Sequence, residues 1–106
     1  MPYKDGLTSL DPEDICYISA ADNYCKIVTT NGIVYTVRIT LKNLEAILIT
    51  MPVKDVVILR IHKSHIIALR DIRLNKQITR VQCKDGAVLE ISSEGRGKLL
   101  QHLVIL

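Results

Sequence analysis

The chain has 106 residues and a formal net charge of +3, with 48% hydrophobic and 24% charged residues, which suits a single domain spanning residues 1–106 and excludes intrinsic disorder. No apolar run reaches the roughly 20 residues of a spanning helix, and the first residues lack the apolar segment of a secretory signal. The three cysteines are scattered without a CxxC pair, which fits reduced thiols in a cytoplasmic protein with no membrane partner.

In the first half of the chain, polar turn signals separate short apolar runs. Asn31-Gly32 predicts a type I′ hairpin turn, because both central residues of that turn need a positive φ. Thr40 is a candidate N-cap for a short helix. Its predicted apolar stripe consists of Leu41, Leu44, Ile47 and Leu48. The predicted strands occupy residues 15–18, 24–30 and 33–38, and residues 7–10 are a candidate for a further short entry strand.

The second half continues the same pattern. Two apolar runs are joined by the segment from His62 to His65, and a polar connection with two apolar anchors follows at residues 70–76. Lys84-Asp85-Gly86 predicts a second hairpin turn, and Ser92-Ser93 predicts the start of a last helix. The predicted strands occupy residues 56–61, 66–69, 78–83 and 87–91.

The composition favours strands over helices. Ile, Val and Thr make up 31 of the 106 residues, whereas Ala occurs five times. Branched side chains fit a pleated sheet better than a helix, and no βαβ crossover pattern occurs. We therefore expect a mostly β fold of six or seven short antiparallel strands, in one sheet or a small sandwich, with one or two short peripheral helices.

The search for catalytic chemistry finds no sufficient set of residues. His62 and His65 have no second ligand pair at a zinc-site spacing. Ser64 stands between them, but neighbouring residues of an extended chain point to opposite faces, and no GxSxG elbow is present. We expect no enzyme, no metal, no cofactor and no small-molecule substrate.

Charge points instead to binding. Residues 56–106 carry nine Lys/Arg against four Asp/Glu, whereas residues 1–55 carry five against seven. A cationic half can face a polyanion, although a solvated surface explains the same charges. Among the cations in or next to predicted loops and strand starts, four have short hydrogen-bonding residues near them: Lys26, Lys63, Arg96 and Lys98. The short polar residues beside them, such as Asn23, Ser64 and Ser93, suit contacts with phosphates and base edges.

Four blocks of this sequence resemble the LytTR-type DNA-binding domains. The segment ILRIHKSHIIALRDI, residues 58–72, is similar to the family signature, which is an aromatic residue, then R-x-H-R-S-[YF]-[IL]-V-N, and Ile after two or three more residues. The segments DICYI (14–18) with NYCKI (23–27), TLKNLE (40–45) and KDG (84–86) are similar to the opening strands, the helix and the last hairpin. The resemblance covers roughly residues 7–103.

The resemblance implies an all-β fold with about three small antiparallel sheets and loops that enter the DNA major grooves. It implies the effector domain of a bacterial response regulator of a two-component system, which regulates transcription by binding direct repeats in double-stranded promoter DNA. A homodimer on DNA is compatible with it. No receiver domain is recognised in this sequence.

Three DNA-contacting segments are implied at matching positions. The first holds Asn23, Cys25 and Lys26, the second Lys63 and Ser64, and the third Ser93, Arg96 and Lys98. His62 matches the family's His, for which we expect a structural role in orienting the Lys63-Ser64 turn. We expect Arg60 to face the surface or a phosphate.

The sequence also departs from the family pattern. Lys63 replaces an Arg and so loses its bidentate fork, and Glu94 stands where an Arg is usual. His65 replaces an aromatic residue, and Ala68 replaces an Asn. Glu94 and Ala68 motivate the alternative hypothesis, a protein-interaction module on the same fold that has lost DNA contact.

Overall fold

The computed structural model describes residues 12–50, 57–70 and 72–102, which form two antiparallel sheets and two α-helices after a single 3-10 turn. The strands are β1 (Ile15–Ala21), β2 (Tyr24–Thr29), β3 (Val34–Val37), β4 (Ile58–His62), β5 (His65–Ala68), β6 (Arg73–Leu74), β7 (Arg80–Gln82) and β8 (Val88–Glu90). The helices are α1 (Leu41–Leu48) and α2 (Ser93–His102). The large sheet has the order β3-β2-β1-β5-β4, and the small sheet has the order β6-β7-β8.

The mostly β prediction is confirmed, with corrections of detail. The described residues hold eight strands in two sheets, rather than six or seven strands in about three. Strand β6 was predicted as a polar connection, because two residues are too few to show an alternating pattern. The strand predicted at residues 7–10 lies outside the described residues.

The β2–β3 hairpin forms where Asn31-Gly32 predicts it, but the predicted type of turn, type I′, is wrong. Gly32 has a φ of 88°, whereas the φ of Asn31 is not positive. The Gly32 N–H donates to the Thr29 carbonyl over 3.1 Å, and the Thr29 N–H donates to the Ile33 carbonyl over 2.9 Å. This is a three-residue loop with a glycine in the left-handed region, which also matches the twist of a hairpin.

Helix α1 begins at the predicted cap. Thr40 has extended backbone angles, and its Oγ1 accepts a hydrogen bond from the Asn43 N–H at 3.2 Å. Leu41, Leu44 and Leu48 are buried, but Ile47 is 49% exposed. Ile47 was expected in the stripe; it lies about 100° around the helix from Leu48 and so leaves the packed face.

The large sheet separates two hydrophobic clusters. One face carries Ile18, Ile27 and Ile66, which pack with the leucines of α1. On the other side, Ile61 and Ile67 pack with the small sheet and with Leu99 of α2. The molecule is therefore built in layers: α1 packs on one face of the large sheet, and the small sheet and α2 pack on the other face.

Ser92 and Gly95 hold α2 against the end of β4. The Ser92 N–H and hydroxyl both donate to the Ile61 carbonyl, at 2.8 and 3.1 Å, and the Ser92 Oγ accepts the Gly95 N–H at 3.0 Å. Gly95 is buried so closely that a Cβ there would lie 2.0 Å from the Ile61 oxygen. Glycine at this position allows the helix to start directly beside β4.

Candidate nucleic-acid interface

Two hairpin tips lie side by side at one end of the large sheet. The β1–β2 turn is Asp22-Asn23, and the β4–β5 turn is Lys63-Ser64. Because β1 pairs with β5, the Ala20 N–H reaches the Ser64 carbonyl over 2.9 Å and joins the two tips. We call this end of the molecule, with the first turns of α2 beside it, the rim.

A row of polar side chains crosses the sheet just behind these tips. Lys26 lies opposite Ser19, and Ser19 lies opposite His65, so the three share one face. The Ser19 Oγ is 3.1 Å from His65 Nδ1, and the His65 and His62 ring centroids are 5.1 Å apart. Strands β2 and β5 are two strand spacings apart, so Lys26 lies about 10 Å from the β5 backbone.

The His65 ring is partly buried in this row. Burial lowers the pKa of His65 below its ordinary value, and the neighbouring His62 lowers it further, against a weaker opposing effect of Glu90. At neutral pH the ring is therefore uncharged and pairs with the Ser19 hydroxyl as a neutral hydrogen-bonding group.

The turn that carries Lys63 is held by two side chains of β4. The Ser64 N–H donates to His62 Nδ1 at 3.1 Å, and the other His62 nitrogen, Nε2, is 4.0 Å from Glu90 Oε1. Arg60 donates to the His62 carbonyl at 3.3 Å and to the Lys63 carbonyl at 2.8 Å. The Lys63 side chain remains exposed to solvent above a turn whose backbone is fixed.

Arg60 is only partly exposed and makes three hydrogen bonds within the protein. Its third hydrogen bond, at 3.2 Å, goes to Glu45 Oε1 on α1, and its side chain is 25% exposed. The guanidinium thus joins α1 to the β4–β5 turn. The sequence did not indicate this contact, because a single strand pattern does not reveal a helix packed beside that face.

A polar groove of about 470 Å³ lies between the Lys63 turn and α2. It is lined by Glu45, Arg60, His62, Lys63, Ser92, Glu94 and Lys98. Lys63 and Lys98 therefore share one concave surface, which the spacing of the two residues in the sequence does not indicate.

The last helix, α2, begins at Ser93 as Ser92-Ser93 predicts, so the third implied segment lies within this helix rather than in a loop before it. Ser93, Glu94 and Lys98 belong to the first turns of α2 and are exposed. Glu94 is placed in the first turn, where a negative charge is favourable, and it lies four residues before Lys98 on the same flank of the helix. Glu94 thus places a carboxylate in the polar groove beside Lys63 and Lys98.

Arg96 lies on the opposite flank of α2. Successive helical residues are about 100° apart, so Glu94 and Arg96 lie on either side of the buried Gly95. The exposed Arg96 donates from Nε to the Gln77 carbonyl at 3.1 Å, in the loop between β6 and β7. The structure therefore brings Lys63 and Lys98 together in the groove, whereas Arg96 lies outside the groove and contacts the loop between β6 and β7.

Cys25 does not fit the role of a base-reading residue. It is fully buried on the α1 side of the sheet, and its thiol donates to the Ile39 carbonyl at 3.2 Å. Burial raises the pKa of this thiol, with Arg60 acting weakly in the opposite direction. Its neighbours Asn23 and Lys26 are exposed. The first segment can therefore present these two side chains and not the thiol.

Sequence reasoning missed Ser19 and underrated His65 as part of the rim. The two residues are 46 positions apart, and only the pairing of β1 with β5 brings them together. Ala68 was counted as a departure from a DNA-binding pattern, but it is buried in β5, away from the rim.

Two further kinds of site are not found in the described ranges. No three metal-ligating side chains among residues 12–50, 57–70 and 72–102 come together. Within the same ranges, neither helix is long and apolar enough to cross a membrane.

Comparisons with known proteins identify the family of the chain. Residues 5–103 match the family model of the LytTr DNA-binding domain, which is nearly the whole sequence. No curated protein and no solved structure gives a match. The matched family is one of DNA-binding domains and not of enzymes. The chain belongs to the LytTr DNA-binding domain family.

Proposed function

We propose that this chain is the effector domain of a bacterial transcriptional response regulator that acts in the cytoplasm. It binds double-stranded promoter DNA sequence-specifically, on direct repeats, and a second copy can occupy the neighbouring repeat. The DNA-binding residues are Asn23, Lys26, Lys63, Ser64, Ser93, Arg96 and Lys98, and His62 orients the Lys63-Ser64 turn.

The observation that carries this proposal is that cationic and amide side chains from distant parts of the chain share the rim. Asn23 and Lys26 come from the first hairpin, and Lys63 comes from the second, which is hydrogen-bonded to it. Lys98 lines the same groove as Lys63. Lysines of this kind neutralise phosphates, whereas Asn23 has the donor and acceptor pair that recognises adenine.

The test separates backbone contact from base recognition. Duplexes selected from a random pool by the purified protein are titrated by fluorescence anisotropy at several salt concentrations. Lys63→Ala should weaken binding to all duplexes. It should also reduce the salt slope, which is the magnitude of the slope of the logarithm of the binding constant against the logarithm of the salt concentration, by about 0.9, as expected for one lost phosphate contact. Asn23→Ala should leave the salt slope unchanged and reduce the discrimination between bases at one base pair by about 1–3 kcal/mol.

Lys84→Ala is the matched control, because Lys84 is an exposed turn lysine at the other end of the small sheet. It should bind as the unchanged protein does. Absence of binding to any duplex at low salt would contradict the proposed function, as would equal slopes for Lys63→Ala and Lys84→Ala.

A protein-interaction module on this fold is the second candidate, and Glu94 is the observation that favours it. Its exposed carboxylate lines the groove with Lys63 and Lys98 and repels phosphates there. The buried Ala68 gives this alternative no support, because it contributes nothing to the surface. The alternative predicts that Glu94→Gln leaves DNA binding unchanged and that DNA does not compete with a captured protein partner.

A further inference from the structure

The loop between β6 and β7, residues 75–79, lies on the rim although no sequence signal assigns it a role. In the small sheet Arg80 pairs with Glu90, so this loop is at the end of the sheet where β8 leads into α2. The Ile91 N–H donates to the Thr79 carbonyl at 2.9 Å. The next residue, Ser92, is bonded to Ile61 of β4, one residue before His62. The loop therefore adjoins the groove across the start of α2.

The loop has a defined shape. Asn75 Oδ1 accepts the N–H groups of Thr79 and Arg80, both at 2.9 Å, and its Nδ2 donates to the Thr79 hydroxyl at 2.7 Å. Ile78 has φ 56°, a backbone conformation that β-branched residues rarely adopt. Its side chain packs against the second hydrophobic cluster, which holds this conformation in place. A loop fixed at both ends by such contacts presents its remaining side chains in a constant position.

Two cations project from this arrangement. Arg96 uses Nε to hold the Gln77 carbonyl, and Lys76, the preceding residue, is exposed. Within the described part of the chain, the Arg96 Nη groups and the Lys76 ammonium have no hydrogen-bond or ion-pair partner. No acidic residue occurs at residues 75–79, and Glu94 lies on the far flank of α2.

We propose that Lys76 and Arg96 together bind one DNA backbone phosphate, so that the β6–β7 loop is a fourth contacting segment beyond the three implied by the family resemblance. The inference rests on the proposed function. Arg96 acts in two directions, since Nε positions the loop and the Nη groups face the phosphate. This phosphate lies outside the groove shared by Lys63 and Lys98, and the DNA footprint is correspondingly longer on that side.

Lys76→Ala and Lys84→Ala are compared in salt titrations with a selected duplex. Both remove one exposed loop lysine from the small sheet, at opposite ends, so the change in net charge is the same. Lys76→Ala should weaken binding and reduce the salt slope by about 0.9, whereas Lys84→Ala should change neither. Thermal unfolding of each variant checks that the fold is kept.

The outcomes distinguish the two proposals. If the unchanged protein binds no duplex, the proposed function fails and this inference fails with it. If the unchanged protein binds and Lys63→Ala reduces the slope, but Lys76→Ala matches Lys84→Ala, only the fourth contact is overturned. A folded Lys76→Ala variant with weaker binding and an unchanged slope also overturns it, because a lost phosphate contact must release fewer counterions.

Discussion

Gly95 and Gly97 stand two positions apart in α2 and make opposite contributions to stability. A Cβ on Gly95 would lie 2.0 Å from the backbone oxygen of Ile61, whereas a Cβ on Gly97 meets nothing within 4 Å. We expect Gly95→Ala to lower the free energy of unfolding by about 3 kcal/mol, because the helix must move away from β4. Gly97→Ala should raise it by about 0.5–1 kcal/mol through helix propensity.

Urea unfolding of the two variants measures both effects, and each variant is the control for the other. If the two substitutions shift the midpoint equally, the close contact between α2 and β4 does not exist in solution. If Gly95→Ala is tolerated while Gly97→Ala destabilises, the helix is rotated from the position described here.

The same pair shows what a sequence hides at the scale of single residues. Both glycines look like weak points of a helix, because propensity treats them alike. The distinction comes from Ile61, which lies 34 residues before Gly95 in the sequence. Cys25 shows the same limit: its neighbours in β2 are exposed, and only the packing of α1 places its thiol in the core.

At the scale of elements, Tyr17 joins the large sheet to the β7–β8 turn. Its hydroxyl donates to Asp85 Oδ2 at 3.0 Å. Burial, followed by the hydrogen bond and the charge of Asp85, raises the pKa of Tyr17 from 10.0 to about 12. The folded state therefore holds this proton more tightly than the unfolded chain, and the resulting stabilisation is complete below pH 10 and is lost between pH 10 and 12.

We expect Tyr17→Phe to lower the free energy of unfolding by about 1 kcal/mol at neutral pH, since the hydrogen bond is lost. The difference from the unchanged protein should shrink between pH 10 and 12, because in that range Tyr17 ionises in the unfolded chain while the folded protein still holds its proton, which favours unfolding. Denaturant unfolding at a series of pH values measures it. Tyr35→Phe, which removes a partly buried hydroxyl elsewhere in the large sheet, is the control. A difference in the free energy of unfolding that stays constant up to pH 12 would contradict the raised pKa of Tyr17.

Elements governed by local chemistry were predictable, and their partners were not. The cap of α1 and the β2–β3 hairpin depend on residues within a few positions of each other. The strand order depends on which faces bury best together, and β5 pairs with β1 over a separation of about fifty residues. The polar row of Lys26, Ser19 and His65 follows from that order, so no local pattern could indicate it.

At the scale of the whole molecule, Arg60 joins α1 to the β4–β5 turn, and its side chain is only partly exposed. It binds Glu45 of α1 and the carbonyls of His62 and Lys63 in the β4–β5 turn. The charge of Arg60 is thus used inside the protein, whereas the charge of Lys63 is available to a partner. We therefore expect Arg60 to be a positioning residue in the proposed interface rather than a DNA contact.

Arg60→Lys tests this distinction, because it keeps the charge but removes the planar group that reaches three acceptors. We expect DNA affinity to fall about three- to tenfold through a less ordered Lys63 turn, with an unchanged salt slope. Lys63→Ala should instead lower the slope by about 0.9. Anisotropy titrations at several salt concentrations compare the two variants. A lower slope for Arg60→Lys would mean that Arg60 itself contacts a phosphate, and unchanged affinity would mean that its hydrogen bonds do not position the turn.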